Sequence, residues 1–312
     1  MSKQISIILQ TALLSAAIFL LIIAISSNII LLFLTTIPLF SVGLSKDPKI
    51  ALKAGALATI PIALLSGSLF LVALYFLIFV LPSWYICHKA LIYYDVKLTD
   101  SLPVMRLWYP MGVITIYLAL YGCVLLAIIT AIFATQDSNL PQVMEQTVKV
   151  AADMLNKDYD IVIEASIANI AFIFCGSLTW LWCFFLMGYT WLINLTLAKK
   201  NLAKRPHIMI SRFPMPNWLL TLMGICALAS IIGGESMSFL GKASLFILLI
   251  PYFFQGAAII QIFTKKPNNY TFFIFIFYFV ALLLFWPIII ISGIGLWDHI
   301  KLLNKRLSSS GS

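Results

Sequence analysis

The sequence predicts an all-α, polytopic transmembrane helical bundle of about 8–10 membrane segments, carrying a short amphipathic helix on its outer face. Three observations predict it. Hydrophobic residues make up 62% of the chain and charged residues only 10%, a balance no soluble domain could cover with polar surface. Ala165 to Leu197 contains no charge at all. At ~1.5 Å per residue it exceeds the roughly 20 residues that cross a ~30 Å hydrocarbon core. The basic residues gather in short loops beside apolar runs, and the density is highest at Lys199-Lys200-Asn201-Leu202-Ala203-Lys204-Arg205. That pattern marks cytoplasmic ends. The net charge of +9 therefore speaks of orientation in a membrane and not of nucleic-acid binding.

Taken in order, Ile5 to Ser26 is too long for a signal-peptide core and reads as a retained helix, with Ala12 and Ala16 as a small-residue packing pair. Ile29 to Leu44 follows after Ser27-Asn28, and Ser45 to Lys49 turns the chain on the cytoplasmic side. Ile50 to Ser66 and Leu69 to Ile86 are parted by Ser66-Gly67-Ser68. The loop from Cys87 to Arg106 is rich in Tyr, Lys and Arg and reads as an interface belt. Met111 to Ala134 is the next span.

Residues 135–164 form the one sizeable polar excursion. Leu140, Val143, Met144, Val148, Ala151, Met154 and Leu155 keep helical spacing there, and Pro141 suits a first turn. This excursion is expected on the external face. Trp218 to Ile232 and Ala243 to Phe263 flank a turn at Gly233-Gly234-Glu235-Ser236. The block Tyr270 to Trp297 contains Pro287, which favours a tight hairpin over a single kinked helix and leaves the C-terminus cytoplasmic. On that topology every Lys and Arg except Lys149, Lys157 and Lys242 falls on the cytoplasmic side, together with both termini. Residues 1–307 read as one integral membrane domain and 308–312 as an appended linker or disordered tail.

The long span has a stripe of small or polar residues at a seven-residue interval: Asn169, Gly176, Cys183 and Thr190, with Asn194 a turn beyond. Such a row faces other helices, so Gly176 and Cys183 are expected packing positions, as is Gly256. Phe172, Phe174, Leu178 and Phe185 lie off the stripe. A ligand cavity, if formed, is expected between this helix and the segment with Pro251, Gln255 and Gly256. Gln255 would orient the ligand, with Asn169 or Trp180 opposite. The competing reading is that Gln255 bonds the long helix and serves packing alone.

No P-loop, HExxH or GxSxG occurs, the five cysteines are isolated, and no two carboxylates share a span. His88, His207 and His299 sit singly near expected membrane edges. Neither a catalytic nor a metal site is expected, no cofactor is implied, and the chain does not read as an enzyme.

Arg212-Phe213-Pro214-x-Pro216-x-Trp218, Phe254-Gln255-Gly256 and Gly295-Leu296-Trp297-Asp298, the last leading to Arg306, resemble motifs of the YybS-like family of bacterial multi-spanning membrane proteins, whose domain has no known function. That family is distantly similar to the substrate-binding subunits of energy-coupling-factor transporters. The resemblance implies an inner-membrane protein that binds or transports a small molecule, with any ATPase on a partner chain. The alternative is a non-transporting scaffold or regulatory subunit.

Overall fold

The structure is a computed structural model that describes residues 2–25, 29–96, 105–134, 140–159, 167–205, 213–263 and 286–310. Side chains at 2, 29, 105, 151–159, 167–171, 261–263, 286 and 305–310 lie outside that description. Among the described residues, six helices are long and apolar enough to cross a membrane, and two more are apolar but shorter. Their surfaces are what lipid requires. Leu64, Leu69 and Ile231 are 79%, 82% and 79% exposed, a cost that only a hydrocarbon surround removes.

The chain divides into two compact units, Met1–Ile114 with Phe184–Met209, and Thr115–Cys183 with Ile210–Ser312. The boundaries at 114/115 and 183/184 fall inside helices, with no polar linker at either.

In the first unit, α1 (Ser2–Ile25) packs on α4 (Pro48–Ser66) through faces lined by alanine, including buried Ala12, Ala16, Ala54 and Ala58. Between them come a short α2 (Ile29–Leu32), a 3₁₀ turn (Phe33–Thr35) and α3 (Thr36–Ser45). Asp47 caps α4, its Oδ1 accepting from the Lys49 N–H at 2.7 Å, with Pro48 at the first helical position. Gly67 ends the helix at φ 61°, a left-handed conformation that glycine adopts without strain. The next span joins α5 (Leu69–Tyr75) to α6 (Leu81–Ala90) through a π-helical turn, Phe76–Val80. The wide turn lies just ahead of Pro82, whose missing N–H leaves the helical ladder open there. Ser15 on α1 ties this span inward, its Oγ lying 2.7 Å from the Tyr75 hydroxyl and donating to the Thr35 carbonyl at 2.8 Å.

The loop read as an interface belt contains an antiparallel hairpin, β1 (Tyr93–Val96) with β2 (Met105–Trp108), paired Tyr93 to Trp108 and Asp95 to Arg106. The strands are only four residues each, too short for alternation to separate them from a loop. Arg205 holds the base of the hairpin. It is buried, donates through Nη1 to the carbonyls of Ala90 and Tyr109 at 3.1 Å each, and lies 5.6 Å from the Trp108 ring centre. Lys204 donates to the Lys46 carbonyl. The three loops assigned to one side of the membrane by charge thus meet within this unit.

Two helices cross from one unit to the other: α7 (Met111–Ala134) and α9 (Ile167–Lys199). At 33 residues α9 is about 50 Å long. Asn201, at φ 54°, closes it with the Leu202 N–H bonded to the Leu197 carbonyl at 2.8 Å. The stripe on α9 is a buried face: Gly176, Cys183, Thr190 and Asn194 are all buried. The side chain of Asn169 lies outside the described residues. Phe185, off that stripe, is nonetheless partly covered. It is half-buried and stacks on Phe33, with ring centres 4.9 Å apart and planes 13° from parallel.

In the second unit, the polar excursion forms a helix, α8 (Leu140–Tyr159), with Pro141 in its first turn and Leu140 buried, and it packs on α11 (Glu235–Phe263). α10 (Trp218–Ile232) lies against α11 so closely that a Cβ on Gly241 would sit 2.6 Å from the Ser230 nitrogen. α11 begins at Glu235, eight residues before the expected start at Ala243, because only Gly233-Gly234 makes the turn. In the last helix, α12 (Trp286–Ser310), Pro287 is the second described residue. Residues 264–285, which carry the rest of the expected hairpin, lie outside the described residues. Since α12 continues through Ser310, the change of composition at 308 does not coincide with a helix end.

Candidate functional site

Two glycines set the contact between α11 and α12. A Cβ on Gly256 would strike the Ile291 carbonyl, and one on Gly295 would strike the Tyr252 carbonyl and approach the Gly256 nitrogen to 2.9 Å. With no side chains between them, the two backbones touch, as small-residue pairs permit in membrane bundles. Any larger residue at either position would force the helices apart.

That closeness brings polar groups from both helices together. Tyr252 and Gln255 lie one turn apart on α11, while Asp298 and His299 are adjacent on α12. Gln255 is 1% exposed and uses both ends of its amide. Its Nε2 donates to Asp298 Oδ2 at 3.1 Å, and its Oε1 accepts from the Phe213 N–H at 3.2 Å. Phe213 is buried and opens the segment leading into α10. A turn away, the Tyr252 hydroxyl lies 3.2 Å from His299 Nδ1, with the rings 5.9 Å apart and 29° from parallel. His299 is thus a buried, partnered side chain, whereas the sequence suggested a membrane-edge residue. Its neighbour Asp298 is half-buried. His88 is exposed and stacks on Trp84, and His207 lies outside the described residues.

The remaining sequence-selected residues are placed separately. Trp180 is buried and donates through Nε1 to the Phe246 carbonyl at 2.9 Å, and its ring meets Phe253 edge-on at 5.5 Å. Gly176, one turn earlier, packs directly against the Phe246 ring. Both therefore tie α9 to α11, but the hydrogen bonds of Trp180 and Gln255 run to different neighbours. Gln255, expected opposite Asn169 or Trp180 across a ligand cavity, spends its amide on Asp298 and Phe213, and the side chain of Asn169 lies outside the described residues. A sequence gives the face of a helix and leaves its neighbour undetermined. Cys183 is fully buried. Among the described residues, no three His, Cys, Asp or Glu side chains gather as metal ligands would.

Phe213, Asp298, Tyr252 and His299 were not singled out as site residues. A signal for two of them was present: Phe213 and Asp298 belong to the RFPxPxW and GLWD stretches, and Gln255 to FQG. All three stretches converge here, at one hydrogen-bonded chain. Apolar helices with exposed aliphatic surfaces, six of them among the described residues long enough to cross a membrane, define a multi-pass α-helical membrane protein. The chain belongs to the family described as "Predicted membrane protein (DUF2232)", whose model matches residues 13–299. No curated protein and no solved structure matches it.

Proposed function

We propose that the chain is a small-molecule-binding or transport subunit of the bacterial inner membrane, with no ATPase or catalytic activity of its own. The observation that carries this reading is the Gln255–Asp298 hydrogen bond, where three separate sequence motifs meet. An acid set among apolar helices is costly, and chains keep such groups where a solute or ion passes or binds. A half-buried carboxylate steered by a buried amide suits a solute that presents a cation or a donor-rich polar end. Both termini and the basic loops would face the cytoplasm, where an ATPase partner would engage them.

A second reading, a non-transporting scaffold or regulatory subunit, draws on a specific observation too. Both polar ends of Gln255 are already engaged by the chain itself. Purification from the native membrane, with identification of co-purifying chains and metabolites, separates the two. A bound metabolite together with an ATPase pair supports the transport reading, and a stable assembly without either supports the scaffold. The variant Asp298→Asn keeps an acceptor for Gln255 while removing the charge. Loss of the metabolite at unchanged thermal stability would tie binding to this carboxylate.

A further inference from the structure

A cleft of about 480 Å³ opens in the first unit, within the range of small-molecule sites. It lies where helices end: at the start of α4, beyond the end of α6, along the hairpin and at the loop after α9. Three cationic or protonatable side chains reach it from three different elements, His88 from α6, Arg106 from β2 and Lys204 from the loop. Asp47 is the one carboxylate in the lining, and its Oδ1 is taken by the Lys49 N–H. Asp95, outside the lining, pairs with Arg106 at 3.2 Å, with both side chains about half exposed at 52% and 48%. An exposed pair of this kind is weak enough for a doubly charged oxyanion to compete for the guanidinium. Lys204 gives the Lys46 carbonyl one of three ammonium donors, which leaves two to offer. Lys46, Lys49, Lys89, Lys199 and Lys200 stand on the same loops and helix ends and add to the positive field.

We propose that this cleft binds a phosphate group. Donors supplied by three separate elements can be shared among the several oxygens of a phosphate, more than a carboxylate's two oxygens would use. The lining also has an apolar part: Tyr93 and Trp108, whose ring centres lie 5.2 Å apart, with Leu91 and Ile92. The ligand is therefore amphiphilic, a phosphate joined to an apolar or ring-bearing part. An anionic phospholipid headgroup and a water-soluble phosphate ester share that chemistry.

The test uses the full chain in a neutral detergent and counts bound ligands by native mass spectrometry. One arm titrates phosphatidic acid against diacylglycerol of the same acyl chains. The other titrates ADP against adenosine. The wild-type protein should retain the phosphate-bearing member of at least one pair. The double variant Arg106→Gln/Lys204→Gln should bind it about tenfold more weakly or worse, with neutral-ligand binding unchanged. Loss confined to the lipid arm identifies a headgroup site, and loss confined to the ADP arm a soluble phosphate ester. His88→Gln, an exposed and milder change, should weaken the same arm if the double variant fails to fold. Equal binding of charged and neutral members, or phosphate binding that survives these substitutions, overturns the proposal.

Discussion

Gln255 donates to Asp298 across a helix contact set by two glycines, and the same side chain accepts from the backbone of Phe213. One amide thus joins α11, α12 and the entry to α10. The neighbouring Gly256 and Gly295 make the geometry attainable, since either side chain would push α12 beyond hydrogen-bond reach.

Gly295→Ala should lower the midpoint of thermal unfolding in detergent, by an amount equivalent to about 1–3 kcal/mol, because the new methyl has backbone and not a flexible side chain to displace. Gly293→Ala, two residues earlier with nothing within 4 Å of the added carbon, should be neutral or slightly stabilising. Equal effects at the two positions would mean that the helices do not touch at Gly295.

On α9, Gly176→Leu should be strongly destabilising, since the Phe246 ring occupies the space the side chain would enter. Phe185→Leu should cost about 0.5–1.5 kcal/mol through loss of its stacking on Phe33. Leu178→Ala, on the exposed face, should change little. Thermal melts of the three variants that gave any other order would reassign the buried face of α9.

Arg205 sits among backbone carbonyls, and burial lowers its pKa to about 10, well below the ordinary guanidinium range. The folded state therefore binds fewer protons than the unfolded state only between that value and the ordinary range. The burial penalty is fully present below pH 10 and fades as pH rises through that window, so Arg205 adds no pH dependence between pH 5 and 9. Arg205→Ala should cost roughly 1–3 kcal/mol by leaving the Ala90 and Tyr109 carbonyls without this donor. Arg205→Lys should fall between, because a single ammonium replaces the planar fork. Melting temperatures in the order wild type, Lys, Ala are the expected result.

The Lys46, His88 and Lys204 loops meet in the first unit, which agrees with their assignment to one side by charge. Single cysteines at positions 46, 88 and 202, in a background without native cysteines, should react only with reagent that reaches the cytoplasm. Cysteines at exposed positions 142 and 146 on α8 should react from outside. External labelling at position 202 would invert the whole arrangement.

Much of the fold was legible because its signal is local. Met111–Ala134 and Trp218–Ile232 begin and end where the apolar runs do, and the amphipathic spacing after Leu140 became α8. The hairpin at Tyr93 was hidden by its brevity. At the site, Gln255 was recognisable as a buried amide and Gly256 as a close contact. Their partners were not, because Asp298 lies 43 positions away and only the packing of α11 on α12 selects it. Phe185 illustrates the same limit: its face was read correctly as lying off the stripe, yet Phe33 covers it.

The last prediction separates the charge at Asp298 from its hydrogen bond. Gln255→Leu takes the amide away from both its partners at once, leaving the Phe213 N–H and the Asp298 carboxylate to find others in an apolar setting. It should cost about 2–4 kcal/mol, the sum of one stranded backbone donor and one weakened charged bond. Asp298→Asn still presents an oxygen to Gln255 Nε2 and should cost less than about 1 kcal/mol. Asp298→Leu removes the acceptor and should approach the cost of Gln255→Leu. Gln255→Leu and Asp298→Leu combined should cost less than the sum of the single changes, because the second deletion no longer breaks an intact bond. Thermal melts of the four proteins close the double-mutant cycle. Additive losses would mean that the two side chains do not interact in the membrane-embedded protein, and the meeting of the three motifs would lose its hydrogen-bonded centre.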